Sequence, residues 1–280
     1  MKIITGISNM QSFADSLRSQ GRTIGFVPTM GFLHDGHVSL MGRARQSCDI
    51  VVASIFVNPT QFGPREDFSR YPRDVEGDRK KCEAAGVDVL FMPAAAEMYP
   101  EKPSVFVVVE GLSDVLEGAI RPGHFRGVAT VVAKLFSIVK PHKAFFGQKD
   151  YQQCAVIKGM VKGLNLDVEI VVMPIVREKD GLAMSSRNSY LNVDERRKAA
   201  VIYRALFAAK QLAVAGVREP EKLRNKMQAI LLEEKGISID YIEIVDPESL
   251  APVGAATGNM VLLVAVRIGS TRLIDNLLIL

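Results

Sequence analysis

The sequence has few cysteines and lacks long apolar runs. Its three cysteines lie far apart and form no C-x-x-C pair, which argues against a disulfide framework and against a zinc site. The strongest late apolar run, 260–266, is far shorter than the ~20 residues that a membrane-spanning helix needs. The first residues also lack the apolar segment of a signal peptide. We therefore expect a cytoplasmic protein with reduced thiols and no membrane association.

Blocks of like charge are absent as well. The 35 basic and 31 acidic residues are scattered along the chain and leave a formal net charge of +4. Without a basic tail or patch, the sequence does not predict nucleic-acid binding, whereas a modest positive balance suits small anionic substrates. A length of 280 residues with 48% hydrophobic and 24% charged residues is typical of a globular protein with one large domain or two ordinary ones.

Apolar segments alternate with amphipathic segments through the first part of the chain. The strand-like segments are 23–30, 49–57, 87–93, 143–147 and 168–176. The helix-like segments are 36–48, 74–86, 127–139 and 151–162. The strands are almost entirely apolar, as expected when helices cover both faces of a parallel sheet. This alternation predicts an α/β fold, a Rossmann-like doubly wound parallel sheet, in a domain spanning residues 1–176.

The pattern changes after residue 176. Two charged helices are predicted at 193–215 and 219–235, followed by strand-like segments at 238–246 and 259–268. Because the βα alternation does not continue, we expect a second, smaller α+β domain over residues 177–280.

Two of the four histidines, His34 and His37, lie at a predicted strand–helix junction. Ligands of doubly wound sheets bind beyond the carboxyl ends of the strands, and a helix N-terminus attracts phosphate. Gly31 would let the chain turn there, and Gly36 would let the backbone approach a ligand. Two alternatives stay open: one histidine lies in a loop while the other caps the helix, or both bind a metal. For a metal, H-x-x-H lacks the i, i+4 spacing of zincins and has no obvious third ligand.

Four segments, taken together, resemble a known family. The segment PTMGFLHDGH at 28–37 is similar to the H-x-G-H motif of nucleotidyltransferases and class I aminoacyl-tRNA synthetases. The others are SIFVNPTQFGPREDFSRYPRD at 54–74, FFGQKDYQQ at 145–153 and DGLAMSSRNSYL at 180–191. In this order and spacing, and across nearly the whole chain, they resemble the pantoate–β-alanine ligase family. The resemblance implies an ATP-dependent condensation of (R)-pantoate with β-alanine through pantoyl adenylate, with Mg²⁺ as cofactor, in a homodimer.

The resemblance also implies which residues bind ATP. His34 and His37 would donate hydrogen bonds to phosphate oxygens, and Lys149 would supply an ammonium, so these three are the predicted catalytic residues. The loop that contains Ser186 matches the mobile Lys-Met-Ser-Lys-Ser-type loop of the superfamily, although such a stretch alone would be typical of a surface turn. The predicted ATP-binding residues are Met30, Gly31, Phe32, Leu33, His34, Asp35, Gly36, His37, Gly147, Gln148, Lys149, Asp150, Val176, Met184, Ser185, Ser186 and Arg187. For Asp150, a helix N-cap is the alternative.

Substrate and metal positions follow from the same resemblance. Gln61 and Gln153 match glutamines that bind pantoate, and they are the predicted binding residues for pantoate and β-alanine. Their neutral amides can donate hydrogen bonds to the substrate and accept hydrogen bonds from it. Asp78 matches an acidic position assigned to Mg²⁺, but Gly77 stands where some relatives carry a second acid. A solvated aspartate on a helix face is the alternative. Arg121 and His124 lie in a loop that resembles a family segment near the active site or the dimer contact, and their role stays open.

Three other functions remain as alternatives. Another H-x-G-H enzyme could transfer a nucleotide to a phosphate acceptor, but it would need a cationic pocket in place of Gln61 and Gln153. A tRNA-charging enzyme would need an anticodon-binding module, for which the remaining hundred or so residues are too few. A non-catalytic nucleotide-binding regulator would keep the fold without turning over ATP, so an assay of ATP turnover separates it from an enzyme.

Overall fold

The computed structural model describes residues 1–64 and 66–279. Its internal contacts divide the chain into two compact units. The first unit comprises Met1–Gly147 and Gln152–Pro174, and the second comprises Gln148–Tyr151 and Ile175–Leu280. The sequence did not predict that the short segment Gln148–Tyr151 groups with the second unit.

The first unit consists of parallel strands and helices. Its strands are β1 (Lys2–Ile4), β2 (Ile24–Thr29), β3 (Ile50–Ile55), β4 (Val89–Phe91), β5 (Lys143–Gly147) and β6 (Glu169–Met173). Its helices are α1 (Ile7–Ser19), α2 (Asp35–Ser47), α3 (Val75–Ala84), α4 (Ala95–Met98), α5 (Glu117–Ile120), α6 (His124–Val139) and α7 (Tyr151–Gly163). A 3-10 helix spans Pro59–Gln61.

The parallel sheet of the first unit has the strand order β1-β4-β3-β2-β5-β6 over the described residues. From β2 the chain continues to β3 and β4 on one side, and later to β5 and β6 on the other side. The strand order therefore reverses beside β2, and the ligand-binding crevice of such a sheet lies beyond the carboxyl end of this strand. This arrangement confirms the predicted doubly wound α/β fold.

Successive residues of the central strand β2 face two different cores. Phe26 belongs to a cluster that includes Met10 of α1 and residues of α6, where the Phe136 ring centroid lies 6.4 Å from that of Phe26. The next residue, Val27, belongs to a cluster with Met41 of α2. Both faces of the sheet are thus covered by helices, which explains why its strands are apolar at consecutive positions.

The second unit is an α+β structure. Its strands are β7 (Ile237–Val245), β8 (Met260–Ile268) and β9 (Thr271–Ile279), paired antiparallel in that order. Its helices are α8 (Val193–Ala199), α9 (Val201–Val214) and α10 (Pro220–Leu231), and a 3-10 helix spans Ser186–Tyr190. Side chains of α9, α10 and β8, among them Leu206, Met227 and Leu262, form its core. The predicted α+β character is confirmed.

Several details of the secondary structure differ from the prediction. The helix predicted at 193–215 is divided at Ala200 into α8 and α9. Strands β1 and β9 and helices α1, α4 and α5 were not predicted. The strand predicted at 168–176 is limited to Glu169–Met173. Among the described residues, no helix is long and apolar enough to cross a membrane.

Candidate active site

The loop that follows β2 turns through two residues with left-handed backbone conformation. Gly31 has φ +84° and Phe32 has φ +51°. A Cβ atom on Gly31 would lie 2.9 Å from Oδ2 of Asp78 and 3.0 Å from Cγ2 of Ile55, so only glycine fits there. The left-handed region disfavours a bulky residue such as Phe32, so the surrounding contacts must hold this conformation.

Helix α3 supplies those contacts. The two carboxylate oxygens of Asp78 accept hydrogen bonds from the backbone N–H groups of Phe32, at 2.7 Å, and Leu33, at 2.6 Å. Asp78 is only 1% exposed. One turn further along α3, Nζ of Lys81 donates to the carbonyl oxygen of Leu33 at 2.6 Å. On the β2 side, the Thr29 hydroxyl accepts from the Gly31 N–H at 3.1 Å. Hydrogen bonds therefore hold the loop both at Gly31 and at Phe32–Leu33.

His34 and His37 lie at the N-terminus of α2, directly after this loop. His34 is the N-cap residue, and Nδ1 of His37 accepts a hydrogen bond from the His34 backbone N–H at 3.3 Å. The two ring centroids are 4.1 Å apart. Because Nδ1 of His37 is an acceptor, a neutral ring carries its proton on Nε2, which is then a hydrogen-bond donor. His34 therefore caps the helix, as the capping alternative proposed. This position leaves Nε2 of the His37 ring as a donor for a ligand.

Gln61 is held close to the same loop. It is 8% exposed, and its Nε2 donates to Sδ of Met30 at 3.2 Å. Its Oε1 accepts from Nδ2 of Asn58 at 3.1 Å, which fixes the orientation of the amide. Oδ1 of Asn58 accepts in turn from the Tyr99 hydroxyl at 2.9 Å. The structure therefore brings a predicted pantoate-binding residue next to a predicted ATP-binding one. Asn58, which the sequence did not single out, orients the amide of Gln61.

Arg121 and His124 connect to the backbone of Gln61. Arg121 forms a two-pronged ion pair with Glu66, at 2.8 and 2.7 Å, and its NH1 lies 3.0 Å from Nε2 of His124. Since arginine only donates, Nε2 of His124 accepts, and Nδ1–H donates to the Gln61 carbonyl oxygen at 2.9 Å. Burial and the Arg121 charge lower the pKa of His124 to about 4, so this histidine is neutral at pH 7.

Close packing between α6 and the 3-10 helix depends on Gly127. A Cβ atom there would lie 2.5 Å from the Thr60 carbonyl oxygen and 2.7 Å from Cα and N of Gln61. The Gly127 carbonyl oxygen also accepts from Nδ2 of Asn58 at 3.2 Å. The sequence did not indicate this contact, because Gly127 is the first residue of the helix-like segment 127–139.

In the second unit, β9 holds the segment that contains Lys149. Nδ2 of Asn276 donates to the carbonyl oxygens of Gln148 and Lys149, each at 2.9 Å. The adjacent Asp275 is buried and pairs with Arg177 at 2.6 and 3.0 Å. Burial raises the pKa of Asp275, and the Arg177 guanidinium partly offsets this. None of these three partners was predicted from the sequence.

The Ser185–Arg187 loop follows a tight turn in the second unit. The Met184 N–H donates to the Val176 carbonyl oxygen at 3.0 Å, closing a short antiparallel hairpin. Gly181 in its turn has φ +93°, and a Cβ atom there would lie 2.2 Å from the Tyr203 ring. The Ser185 hydroxyl accepts from the Arg187 N–H at 3.3 Å and begins the 3-10 helix. The predicted phosphate-binding role of this loop stays a prediction.

The described residues do not form a metal-binding cluster of three or more His, Cys, Asp or Glu side chains. Both oxygens of Asp78 accept backbone N–H groups, and Gly77 offers no side-chain ligand. The prediction that Asp78 binds Mg²⁺ therefore finds no support in its contacts.

The predicted site residues divide between the two units. In the first unit, Asp35 and Gly36 form the first turn of α2, Gly147 ends β5, and Gln153 is half-buried on α7. In the second unit, Asp150 is half-exposed, and its Oδ1 lies 3.8 Å from Nζ of Lys149. The ligand-binding roles of all these residues stay predictions.

Comparison with known proteins decides the family. Residues 2–278 match the family model described as pantoate–β-alanine ligase. The chain belongs to the pantoate–β-alanine ligase family. A pantothenate synthetase of Geobacter sulfurreducens is 56% identical over 276 residues, which cover 99% of this chain and 98% of that protein. The resemblance inferred from the four sequence segments is thereby confirmed.

Solved structures of the family have the same fold. The crystal structure of pantothenate synthetase from Thermus thermophilus matches with a TM-score of 0.94 and 47% identity over 99% of both chains. A pantoate–β-alanine ligase from Francisella tularensis matches with a TM-score of 0.82 and 38% identity, over 99% of this chain and 97% of that one. The Francisella enzyme was crystallised as a complex with beta-gamma ATP and β-alanine.

Proposed function

We propose that this chain condenses (R)-pantoate with β-alanine at the expense of ATP and releases pantothenate, AMP and pyrophosphate. The observation that carries the proposal is the contact between Met30 and Gln61, which joins the histidine loop at the switch point of the sheet to a buried, oriented amide. Family membership supports the reaction, and the Francisella complex supports ATP and β-alanine as substrates.

In the first proposed step, a carboxylate oxygen of pantoate attacks the α-phosphorus of ATP. The bond to pyrophosphate breaks, and pantoyl adenylate remains. No enzyme nucleophile is required; consistent with this, the buried Cys82 has a thiol pKa raised to about 12 by burial. The protein contributes alignment and stabilisation of charge. In this proposal His34, His37 and Lys149 stabilise the negative charge on the phosphate oxygens, and the Ser185–Arg187 loop binds the triphosphate.

In the second proposed step, the amine of β-alanine attacks the acyl carbon of the adenylate and AMP leaves. Gln61 and Gln153 hold pantoate through both steps, because a neutral amide can donate to the carboxylate and accept from a hydroxyl. In this proposal His124 acts indirectly, since its Nδ1–H fixes the backbone of Gln61.

Mg²⁺ is proposed to enter with ATP, where it neutralises phosphate charge and keeps much of its water shell. No step of the proposed reaction requires a protein ligand of the ion.

We also propose that the protein is a homodimer and that it is located in the cytoplasm. Three apolar side chains of one extended stretch are exposed, with Val105 79%, Phe106 41% and Val108 54% accessible. An apolar patch of this kind is typical of a protein interface, and a second copy of the chain is the proposed partner. The three buried cysteines, which form no disulfide with one another, suit a reducing compartment.

The test of the reaction is pyrophosphate release from ATP and pantoate, with and without β-alanine. Without β-alanine we expect about one pyrophosphate per enzyme and bound pantoyl adenylate, because the adenylate has no acceptor. With β-alanine we expect continuous release of pyrophosphate and AMP. Release of ADP and phosphate would instead indicate an acyl-phosphate route, and absence of pyrophosphate until β-alanine is added would refute the adenylate intermediate.

A further inference from the structure

We infer that Asp78 and Lys81 are positioning residues that hold the Met30–Leu33 loop and, through it, His34 and His37, and that Asp78 does not bind Mg²⁺. The inference rests on the proposed function for its kinetic part. It assigns α3 a role in the reaction, although this helix lies outside the four segments that resemble the family.

The two side chains act on the same stretch of backbone. They lie three residues apart on α3 and therefore project from the same face of the helix. Asp78 accepts the N–H groups of Phe32 and Leu33, and Lys81 donates to the carbonyl oxygen of Leu33. Hydrogen bonds with one charged partner are roughly twice as strong as neutral ones. In this clamp the Asp78 carboxylate is almost fully buried, whereas Lys81 is an exposed residue whose ammonium reaches the Leu33 carbonyl oxygen from the surface.

The clamp is needed because the loop has an unfavourable conformation. Phe32 has a positive φ, which the clamp must maintain against the tendency of an L-residue to return to negative φ. The chain enters α2 only two residues later, with His34 as the N-cap. A change at Phe32 would therefore shift the start of α2, and His37, whose Nδ1 accepts the His34 N–H, would move with it.

The same contacts argue against Mg²⁺ at Asp78. A metal ion bound to the Asp78 carboxylate would compete with the backbone N–H groups of Phe32 and Leu33, which already engage both of its oxygens. Asp78 therefore has a structural partner for each oxygen.

The first experiment uses protein free of ATP and metal. We compare amide hydrogen exchange of Phe32 and Leu33 in the wild type and in Asp78→Asn. An amide side chain has a single acceptor oxygen, and its NH₂ group would face a backbone N–H, so we expect at least one of the two amides to exchange about tenfold to a hundredfold faster. Asp74→Asn is the matched control, because the Asp74 side chain caps the same helix by accepting the Gly77 N–H at 3.0 Å.

The second experiment measures pyrophosphate release as a function of Mg²⁺ concentration. For Asp78→Asn we expect kcat to fall about tenfold to a hundredfold, the loss expected for a charge-assisted hydrogen bond, with an unchanged Mg²⁺ concentration at half-maximal rate. Lys81→Met keeps most of the side-chain length and should lower kcat in the same way, to a smaller extent. This variant also provides the test if Asp78→Asn fails to fold.

Two outcomes would overturn the inference. One is exchange of the Phe32 and Leu33 amides at wild-type rates in Asp78→Asn. The other is a raised Mg²⁺ requirement with recovery of the rate at high Mg²⁺, which identifies a metal ligand. If the wild type releases no pyrophosphate from ATP and pantoate, the proposed reaction fails, but the exchange experiment still decides whether the clamp exists.

Discussion

His37 uses Nδ1 to accept the backbone N–H of His34, so its proposed contribution to catalysis depends on Nε2. Asparagine at position 37 can keep an acceptor near Nδ1 but lacks a donor at Nε2, whereas glutamine can reach toward Nε2 with its NH₂ group. We expect His37→Asn to lower kcat by about 10²–10³, as for loss of an oxyanion-stabilising donor. His37→Gln should lose less.

The measurement is single-turnover pyrophosphate release, with thermal unfolding of each variant to verify folding. His34→Ala tests the second histidine in the same assay. Turnover near the wild-type rate in all three variants would contradict the role of the histidines.

The half-buried His124 makes stability depend on pH in a defined direction. Its pKa is about 4 in the folded protein, against 6.5 for the ordinary group, so the unfolded chain binds the proton first as the pH falls. Stability from this residue is complete above pH 6.5 and is lost as the pH falls toward 4, by about 3 kcal/mol. The charged groups that act on it are Arg121, Glu66 and Glu117.

The test for His124 is urea unfolding of the wild type and His124→Gln at several pH values from 7 to 4. The variant keeps Arg121 and Glu66, so their titration is common to both proteins. We expect the wild type to lose about 3 kcal/mol more than the variant over this interval. Parallel curves would mean that the pKa of His124 is the same in the folded and unfolded states, which would contradict its lowering by burial and Arg121.

At the scale of elements, the contact between α6 and the 3-10 helix allows no methyl group at Gly127. We expect Gly127→Ala to destabilise the protein by about 1–3 kcal/mol and to weaken pantoate binding, because the added Cβ meets the backbone of Thr60 and Gln61 rather than a flexible side chain.

Gly42 in α2 is the control, because a Cβ there has no atom within 4 Å. Gly42→Ala should stabilise the helix by about 0.5–1 kcal/mol, following helix propensity alone. Thermal unfolding and the KM for pantoate measure both variants. Equal effects of the two substitutions would show that the contact with Gln61 does not decide the result.

The elements that the sequence revealed are those with an uninterrupted pattern. The strands of the first unit other than the three-residue β1 are apolar at consecutive positions and were recognisable. Strand β9 was missed because Asp275 and Asn276 interrupt its apolar residues. Both polar residues are buried because tertiary contacts satisfy them. Asp275 pairs with Arg177, and Asn276 donates hydrogen bonds to the backbone carbonyl oxygens of Gln148 and Lys149. The division of the predicted helix 193–215 at Ala200 was also missed, because no change in the charge pattern marks it.

The candidate site was predictable where family motifs mark it and unpredictable where tertiary contacts build it. His34, His37 and Gln61 came from motif resemblance, but their orientation depends on residues far apart in the chain. Asn58 orients Gln61, and Asp78 holds the loop before the histidines. Sequence spacing gives no distance between such residues. The sequence therefore could not show that the Asp78 carboxylate accepts hydrogen bonds from the loop before the histidines.

For the whole molecule, the proposed homodimer predicts a specific effect of charge on the exposed apolar stretch. Val105→Lys and Val108→Lys should weaken association by at least tenfold each, because a charge in the centre of an apolar interface loses its hydration. Val214→Lys is the control, since Val214 is 72% exposed on α9, away from this stretch in the sequence. Sedimentation velocity over a range of concentrations measures the effect. A monomeric wild type, or equal association of all variants, would contradict the interface.

The burial of all three cysteines has a practical consequence for spectroscopy. Cys48, Cys82 and Cys154 are at most 8% exposed, and burial raises the thiol pKa of Cys48 and Cys82, which keeps the reactive thiolate scarce. A maleimide reagent should therefore react first with a cysteine introduced at an exposed position. Fluorophores and spin labels can thus be attached one at a time without removing the native cysteines, so conformational distances become measurable in an otherwise unaltered chain.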